Sequence, residues 1–345
     1  MIASTAPDPA SGREARVQLM GLLTAADVGR ALFVAAELGI ADELADGGQT
    51  AEELAVRTGC DADALARVLR LLCVEGIFGV DESGRFELAG PGRLLRTDAA
   101  GSLRAHTRFA GATWRSRAWD ELLRAVRTGR PSFPEIFGMP LFEYLAQHPE
   151  AEAVFEEHLA KASRFRNMAV ARSLTVEGSS TVVDVGGGSG ALLTLLLERE
   201  PTARGILFDL AAVAGSARVL LDDRGLVDRC EVAIGSFFDQ IPSGGDLYLL
   251  CWVLHDWNDD DARRILQSCR RSMSDGARLV IVEELLRLDA SPQPAKALDV
   301  EMLVLLGGRE RTESEYAELL GECGFRLHGV IATASPAALI ESRPV

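Results

Sequence analysis

Two separated stretches hold the residue types that could do chemistry. The first, Val182-Val183-Asp184-Val185-Gly186-Gly187-Gly188-Ser189-Gly190, reads as an apolar strand running into a glycine-rich turn. Such a turn at the start of a helix is how an α/β protein holds a nucleotide-like ligand. The second, Leu250-Cys251-Trp252-Val253-Leu254-His255-Asp256-Trp257, ends an apolar strand in a histidine–aspartate pair. Later segments add acids: Val282-Glu283-Glu284 closes another strand, and Gly307-Gly308-Arg309-Glu310-Arg311-Thr312 forms a loop. A carboxylate that accepts from one ring nitrogen of His255 fixes the tautomer and leaves the other nitrogen to take a proton. One histidine with acids from two later segments is a base with its orienters. Asp209 ends Gly205-Ile206-Leu207-Phe208-Asp209, roughly twenty residues past the glycine turn, where an acid can hold both hydroxyls of a ribose. That fits NAD and other adenosine cofactors equally, and a helix-capping role for Asp209 stays open. Phe237, in Gly235-Ser236-Phe237-Phe238, could flank an adenine.

The elements that must position these groups follow from composition and periodicity. A chain of 345 residues suggests two domains, and 48% hydrophobic with 25% charged residues can build full cores. A net charge of -15 opposes phosphate backbones and anionic membranes, which argues against nucleic-acid and membrane partners. Six scattered cysteines, with no CxxC pair and no zinc spacing, read as buried thiols of a reducing cytoplasm. Residues 1–15 read as a disordered tail without a secretion signal. The most apolar early run, residues 31–41, is broken by Glu37 and shorter than a membrane span.

Helical periodicity runs through residues 16–45, and Thr50-Ala51-Glu52-Glu53 is a capping box whose helix stops near Gly59. Asp61 caps another helix, and two short strands, 77–80 and 85–88, follow. Helix, turn, helix, hairpin outlines a winged helix. Residues 50–75 hold five acids against three arginines, a net of -2, so this winged helix suits interaction or dimerisation better than DNA. Residues 91–175 continue as helices with interspersed aromatics, read as core or as the lining of a pocket. The second half changes period: strands are expected at 181–185, 205–209, 230–234, 246–250, 278–283, 325–332 and 337–341, with helices between most of them. Strands alternating with helices predict a doubly wound, mostly parallel α/β sheet. Thr312-Glu313-Ser314-Glu315 is a second capping box.

Together these segments resemble the cation-independent S-adenosylmethionine-dependent O-methyltransferases. That family includes plant caffeate and flavonoid enzymes and bacterial enzymes of polyketide-antibiotic biosynthesis. The resemblance covers nearly the whole chain and is most specific at 184–190, at Leu254-His255-Asp256-Trp257 and at 307–312. It implies a Rossmann-like catalytic domain at 178–345, a helical linker and substrate-capping region at 101–177, and a winged-helix dimerisation domain at 16–100. It further implies a cytoplasmic homodimer of secondary metabolism that methylates a phenolic hydroxyl, uses S-adenosylmethionine, releases S-adenosyl-L-homocysteine and needs no metal. By position, the resemblance makes His255 the general base, Glu283 and Glu310 its orienters and Asp256 a support. It places Asp184, Gly186, Gly188, Asp209, Ser236, Phe237, Cys251 and Trp257 around the cofactor. Ser236 and Cys251 depart from the family's usual residues. Phe109, Trp114, His158, Met168, Met302 and Leu303 are the implied substrate pocket. Relatives that hydroxylate or decarboxylate anthracycline-like substrates, and a non-catalytic winged-helix ligand sensor, are the alternative readings.

Overall fold

Pro9–Glu37 is one continuous helix in the computed structural model, which describes residues 9–345. The stretch expected as a disordered tail is therefore helical from Pro9 onward, and residues 1–8 lie outside the described residues. A proline tolerated in the first turn and the run Arg13-Glu14-Ala15-Arg16 of strong helix formers account for the earlier start. Within it, Gly12–Glu37 is long and apolar enough, by length and composition, to cross a membrane, well beyond the 31–41 run noted in the sequence. Val17, Leu19, Met20, Leu22 and Leu23 are exposed along it, an apolar patch of the kind that marks an interaction surface.

The winged-helix outline is present. Ala51–Thr58 begins at the expected capping box, with Thr50 N donating to Glu53 Oε2 at 2.8 Å and Glu53 N to Thr50 Oγ1 at 3.3 Å. Asp61 caps Ala62–Val74, which buries Leu65, Ala66, Leu69 and Leu72. Strands β1 (Phe78–Val80) and β2 (Phe86–Leu88) pair antiparallel to form the hairpin. The chain divides into two compact units: residues through Ser116 with Glu150–Lys161, and Arg117–Pro149 with Ala162–Val345. The segment 101–177, expected as a region of its own, is thus divided between them.

The second unit carries a seven-stranded sheet. Its strands are β3 (Thr181–Val185), β4 (Arg204–Asp209), β5 (Cys230–Ile234), β6 (Leu247–Cys251), β7 (Arg278–Glu284), β8 (Phe325–Ala332) and β9 (Ala337–Pro344). The order is β5-β4-β3-β6-β7-β9-β8, with β9 antiparallel to both neighbours and all other pairs parallel. Alternate residues feed opposite faces: Val183, Val185, Tyr248, Leu250, Leu279 and Ile281 join one buried cluster, and Val182, Leu247, Leu249, Val280 and Val282 the other. A sheet covered on both faces needs such continuous apolar runs, which is why its strands stand out in the sequence. The order reverses direction between β3 and β6. Open α/β sheets bind ligands in the crevice beyond the carboxyl ends of the strands at such a switch point. The glycine turn follows β3 and the His255 segment follows β6, so both candidate stretches meet there.

Candidate active site

The glycine turn is shaped by steric necessity. Gly186 has φ 70, and a Cβ there would stand 2.9 Å from Val253 Cγ2 in the segment after β6. Any side chain would be strained in the left-handed region and would push the two halves of the crevice apart. Asp209, at the end of β4, accepts from Gly188 N at 2.8 Å through Oδ2 and from Leu210 N at 2.7 Å through Oδ1. Burial raises its carboxyl, and those two amides pull it back. Asp184 is fully buried under the turn with Oδ1 unpaired. Burial, and then the charge of Asp209, push its carboxyl up to about 7. Across the same crevice Phe237, Phe238 and Trp257 meet edge to face, with ring centroids 4.7 to 5.8 Å apart. Ser236 Oγ accepts from Phe238 N at 3.2 Å and shapes the turn. Cys251 ends β6, and burial drives its thiol up to about 12, so it stays neutral.

His255 sits in a short 3-10 turn, Leu254–Asp256, and is 4% exposed. Its Nδ1 lies 2.7 Å from Glu310 Oε1, and its Nε2 lies 3.4 Å from Asp256 Oδ1. Glu283 is further from the ring, with Oε2 3.6 Å from Nδ1. Its Oε1 instead accepts from three successive amides, Val253 N and Leu254 N at 3.1 Å and His255 N at 3.3 Å. The two acids expected as a matched pair therefore do different work: Glu310 holds the ring and Glu283 holds the backbone beneath it. Burial opposes the imidazolium, but Glu283, Asp256 and Glu310 outweigh it and raise His255 to about 10. Burial also pushes Glu283 up to about 7 and Asp256 to about 6 against the pull of the imidazole.

The O-methyltransferase domain model matches residues 119–326, and the O-methyltransferase dimerisation domain model matches residues 20–98. The chain belongs to the O-methyltransferase family. It is 41% identical to a phenazine O-methyltransferase of Lysobacter antibioticus, covering 95% of this chain and 96% of that one. A solved mitomycin 7-O-methyltransferase superposes with a TM-score of 0.93 at 36% identity, covering 98% and 100%. A solved O-methyltransferase from neocarzinostatin biosynthesis, in complex with S-adenosylmethionine and 2-hydroxy-5-methyl naphthoic acid, is 33% identical with a TM-score of 0.84, covering 92% and 96%. Some relatives are named as N-methyltransferases. The enzyme is an S-adenosylmethionine-dependent methyltransferase of the O-methyltransferase family, with the expected Rossmann-like fold. Its glycine turn, the Asp209 carboxylate and the aromatic trio suit the amino-acid, ribose and adenine parts of that cofactor.

The residues implied for the substrate pocket fall into two groups. In the first unit Phe109 stacks on His158, with centroids 4.2 Å and planes 6° apart, and meets Trp114 edge to face at 5.7 Å. Burial, then His106 and Arg115, lower His158 to about 4, so its imidazole is neutral. Met168 lies on the helix Pro149–Ser173, and Met302 and Leu303 on Pro294–Leu305, all in the second unit. Sequence reasoning missed Phe238, Trp252 and Arg311. Trp252 has φ 56, sits edge-on to His255 at 5.0 Å and has the Arg166 guanidinium 4.2 Å over its ring. An apolar strand end holds no sign of a left-handed tryptophan, but Phe238 was legible as the neighbour of Phe237.

Proposed function

We propose that the enzyme methylates a phenolic hydroxyl of an aromatic, polyketide-type metabolite, with His255 as the general base. The observation that carries this reading is the buried Nδ1–Glu310 contact of 2.7 Å. With the Nδ1–H donated to Glu310, Nε2 becomes the acceptor for the hydroxyl proton. Asp256, 3.4 Å from Nε2, favours the imidazolium that results. A phenol titrates at about 10, and the carboxylates bring His255 to about the same value. The same carboxylates keep His255 largely protonated at neutral pH, so the form that accepts the hydroxyl proton gains population as pH rises. Once formed, it is a base of about the phenolate's own strength. When bound, S-adenosylmethionine supplies a methyl group already activated on a sulfonium. The chain's remaining tasks are to orient the acceptor oxygen and exclude water, and holding two reactants together is worth roughly 7–11 kcal/mol.

Asp209 is proposed to hold the ribose hydroxyls, and Phe237 and Trp257 to flank the adenine. Asp184, Gly186, Gly188, Ser236 and Cys251 are proposed to shape the rest of that cradle. Phe109, Trp114, His158, Met168, Met302 and Leu303 offer an apolar and aromatic lining that suits a planar acceptor. Homodimerisation through the N-terminal domain is supported by the match to the dimerisation model and by the exposed apolar stripe of the first helix. Six free cysteines support a cytoplasmic location. The test is His255→Ala, assayed with labelled cofactor against a panel of phenols. Turnover is expected to fall by roughly 10²–10⁴ while calorimetry shows cofactor binding intact. Wild-type turnover in this variant removes His255 from the base role.

A further inference from the structure

Arg311 follows Glu310 directly and is only 1% exposed, an uncommon state for a guanidinium. Its donors diverge. Nη1 donates to Leu254 O at 3.0 Å and Nη2 to Trp257 O at 2.9 Å, the carbonyls on either side of His255-Asp256. Nε and Nη2 donate to Asp259 Oδ1 at 3.0 and 2.8 Å, which balances the charge. On its other side the same turn gives the amides of Val253, Leu254 and His255 to Glu283 Oε1. A third contact closes the frame: Arg309 N donates to His255 O at 2.9 Å, and a Cβ on Gly308 would lie 2.0 Å from that oxygen. The chain enters the turn through Trp252 at φ 56. Such a conformation is rare for a side-chain-bearing residue and persists only where its surroundings hold it.

We propose that Arg311 and Glu283 are positioning residues that clamp the 253–257 turn from opposite sides, a cation on its carbonyls and an anion on its amides, and so set where the His255 imidazole stands. Glu310 orients the ring; the clamp places the backbone that carries it. The inference rests on His255 being the base. The clamp needs a planar fork: an ammonium keeps the charge beside Asp259 but cannot reach three diverging acceptors in fixed geometry. A shift of about 1 Å in a reacting group can cost on the order of 10²-fold in rate.

The test compares Arg311→Lys, Asp259→Asn and His255→Ala in the full-length enzyme, counting active sites by cofactor binding. Asp259→Asn loosens the guanidinium through a side chain that is 42% exposed, so it serves where Arg311→Lys fails to fold. Arg311→Lys is expected to lower kcat per cofactor-binding site by roughly tenfold to a hundredfold, with cofactor affinity and acceptor KM within about twofold and a smaller loss in Asp259→Asn. A buried arginine that served folding alone would reduce the number of binding sites and leave kcat per site unchanged. Wild-type kcat per site in both variants, with His255→Ala inactive, overturns the clamp and leaves the base standing. Wild-type turnover in His255→Ala overturns the base, and the clamp with it.

Discussion

Glu310→Gln isolates the charge beside the base. Glutamine keeps an oxygen that can accept the Nδ1–H, so the ring stays oriented while the anion is lost. Delocalisation puts the two charge centres about 4 Å apart, where an effective dielectric constant near 20 makes the attraction about 4 kcal/mol. At about 1.4 kcal/mol per pH unit this bounds the effect at about 3 units. Opposite charges at such range shift titrations by about 1–3 units. The sign follows from which form the carboxylate favours. Glu310 stabilises the imidazolium, so its removal lowers the His255 pKa from about 10. In the wild type kcat/KM should rise with pH, close to tenfold per unit between about 7 and 9, and level off near 10, because one proton must leave the histidine–phenol pair. In Glu310→Gln the limb of the profile governed by His255 should move to lower pH by about 1–3 units, with a lower plateau because the base is weaker. The assay is initial-rate methyl transfer from labelled cofactor, measured from pH 6 to pH 10.5 with a phenol that titrates above this range. A profile superimposable on the wild type would show that Glu310 does not set the proton affinity of the base, and the reasoning from its 2.7 Å contact would fail.

Two further outcomes are expected. Asp209→Ala should weaken cofactor binding by about 1.5–3 kcal/mol, roughly tenfold to a hundredfold in Kd by titration calorimetry, with a smaller effect on kcat at saturation; wild-type affinity would remove Asp209 from the ribose role. Thr312→Ala removes a cap whose oxygen accepts from Glu315 N at 3.2 Å, while Thr312 N donates to Glu315 Oε2 at 2.8 Å. It should cost about 0.5–2 kcal/mol in denaturant unfolding, and an unchanged midpoint would show that the cap contributes nothing measurable.

Much of the frame was legible because local chemistry decides it. Both capping boxes are satisfied within four residues of sequence, and both appear in the structure. The sheet strands fall within a few residues of their predicted limits because a sheet buried on two faces imposes continuous apolar runs. The exception was the N-terminal boundary, where good helix formers continue back to Pro9. Ser236 was less legible. Its hydroxyl closes a local turn with Phe238 N, an option open to any serine that its position in the chain does not reveal.

The sequence alone determined the residue types of the site: a glycine turn, a carboxylate at the end of β4, a histidine after β6 and two later acids. It also placed them at the strand ends where an α/β sheet gathers its chemistry. Only the tertiary structure decided how the acids divide their work. Glu283 and Glu310 look equivalent in sequence, yet one takes three backbone amides and the other takes the ring. It likewise turned Arg311, one charged residue in a loop, into a buried fork on the His255 turn. Spacing along the chain fixes neither outcome. Each depends on ångström-scale distances between β7, the segment after β6 and the loop before the last helix, which exist only once the sheet has paired.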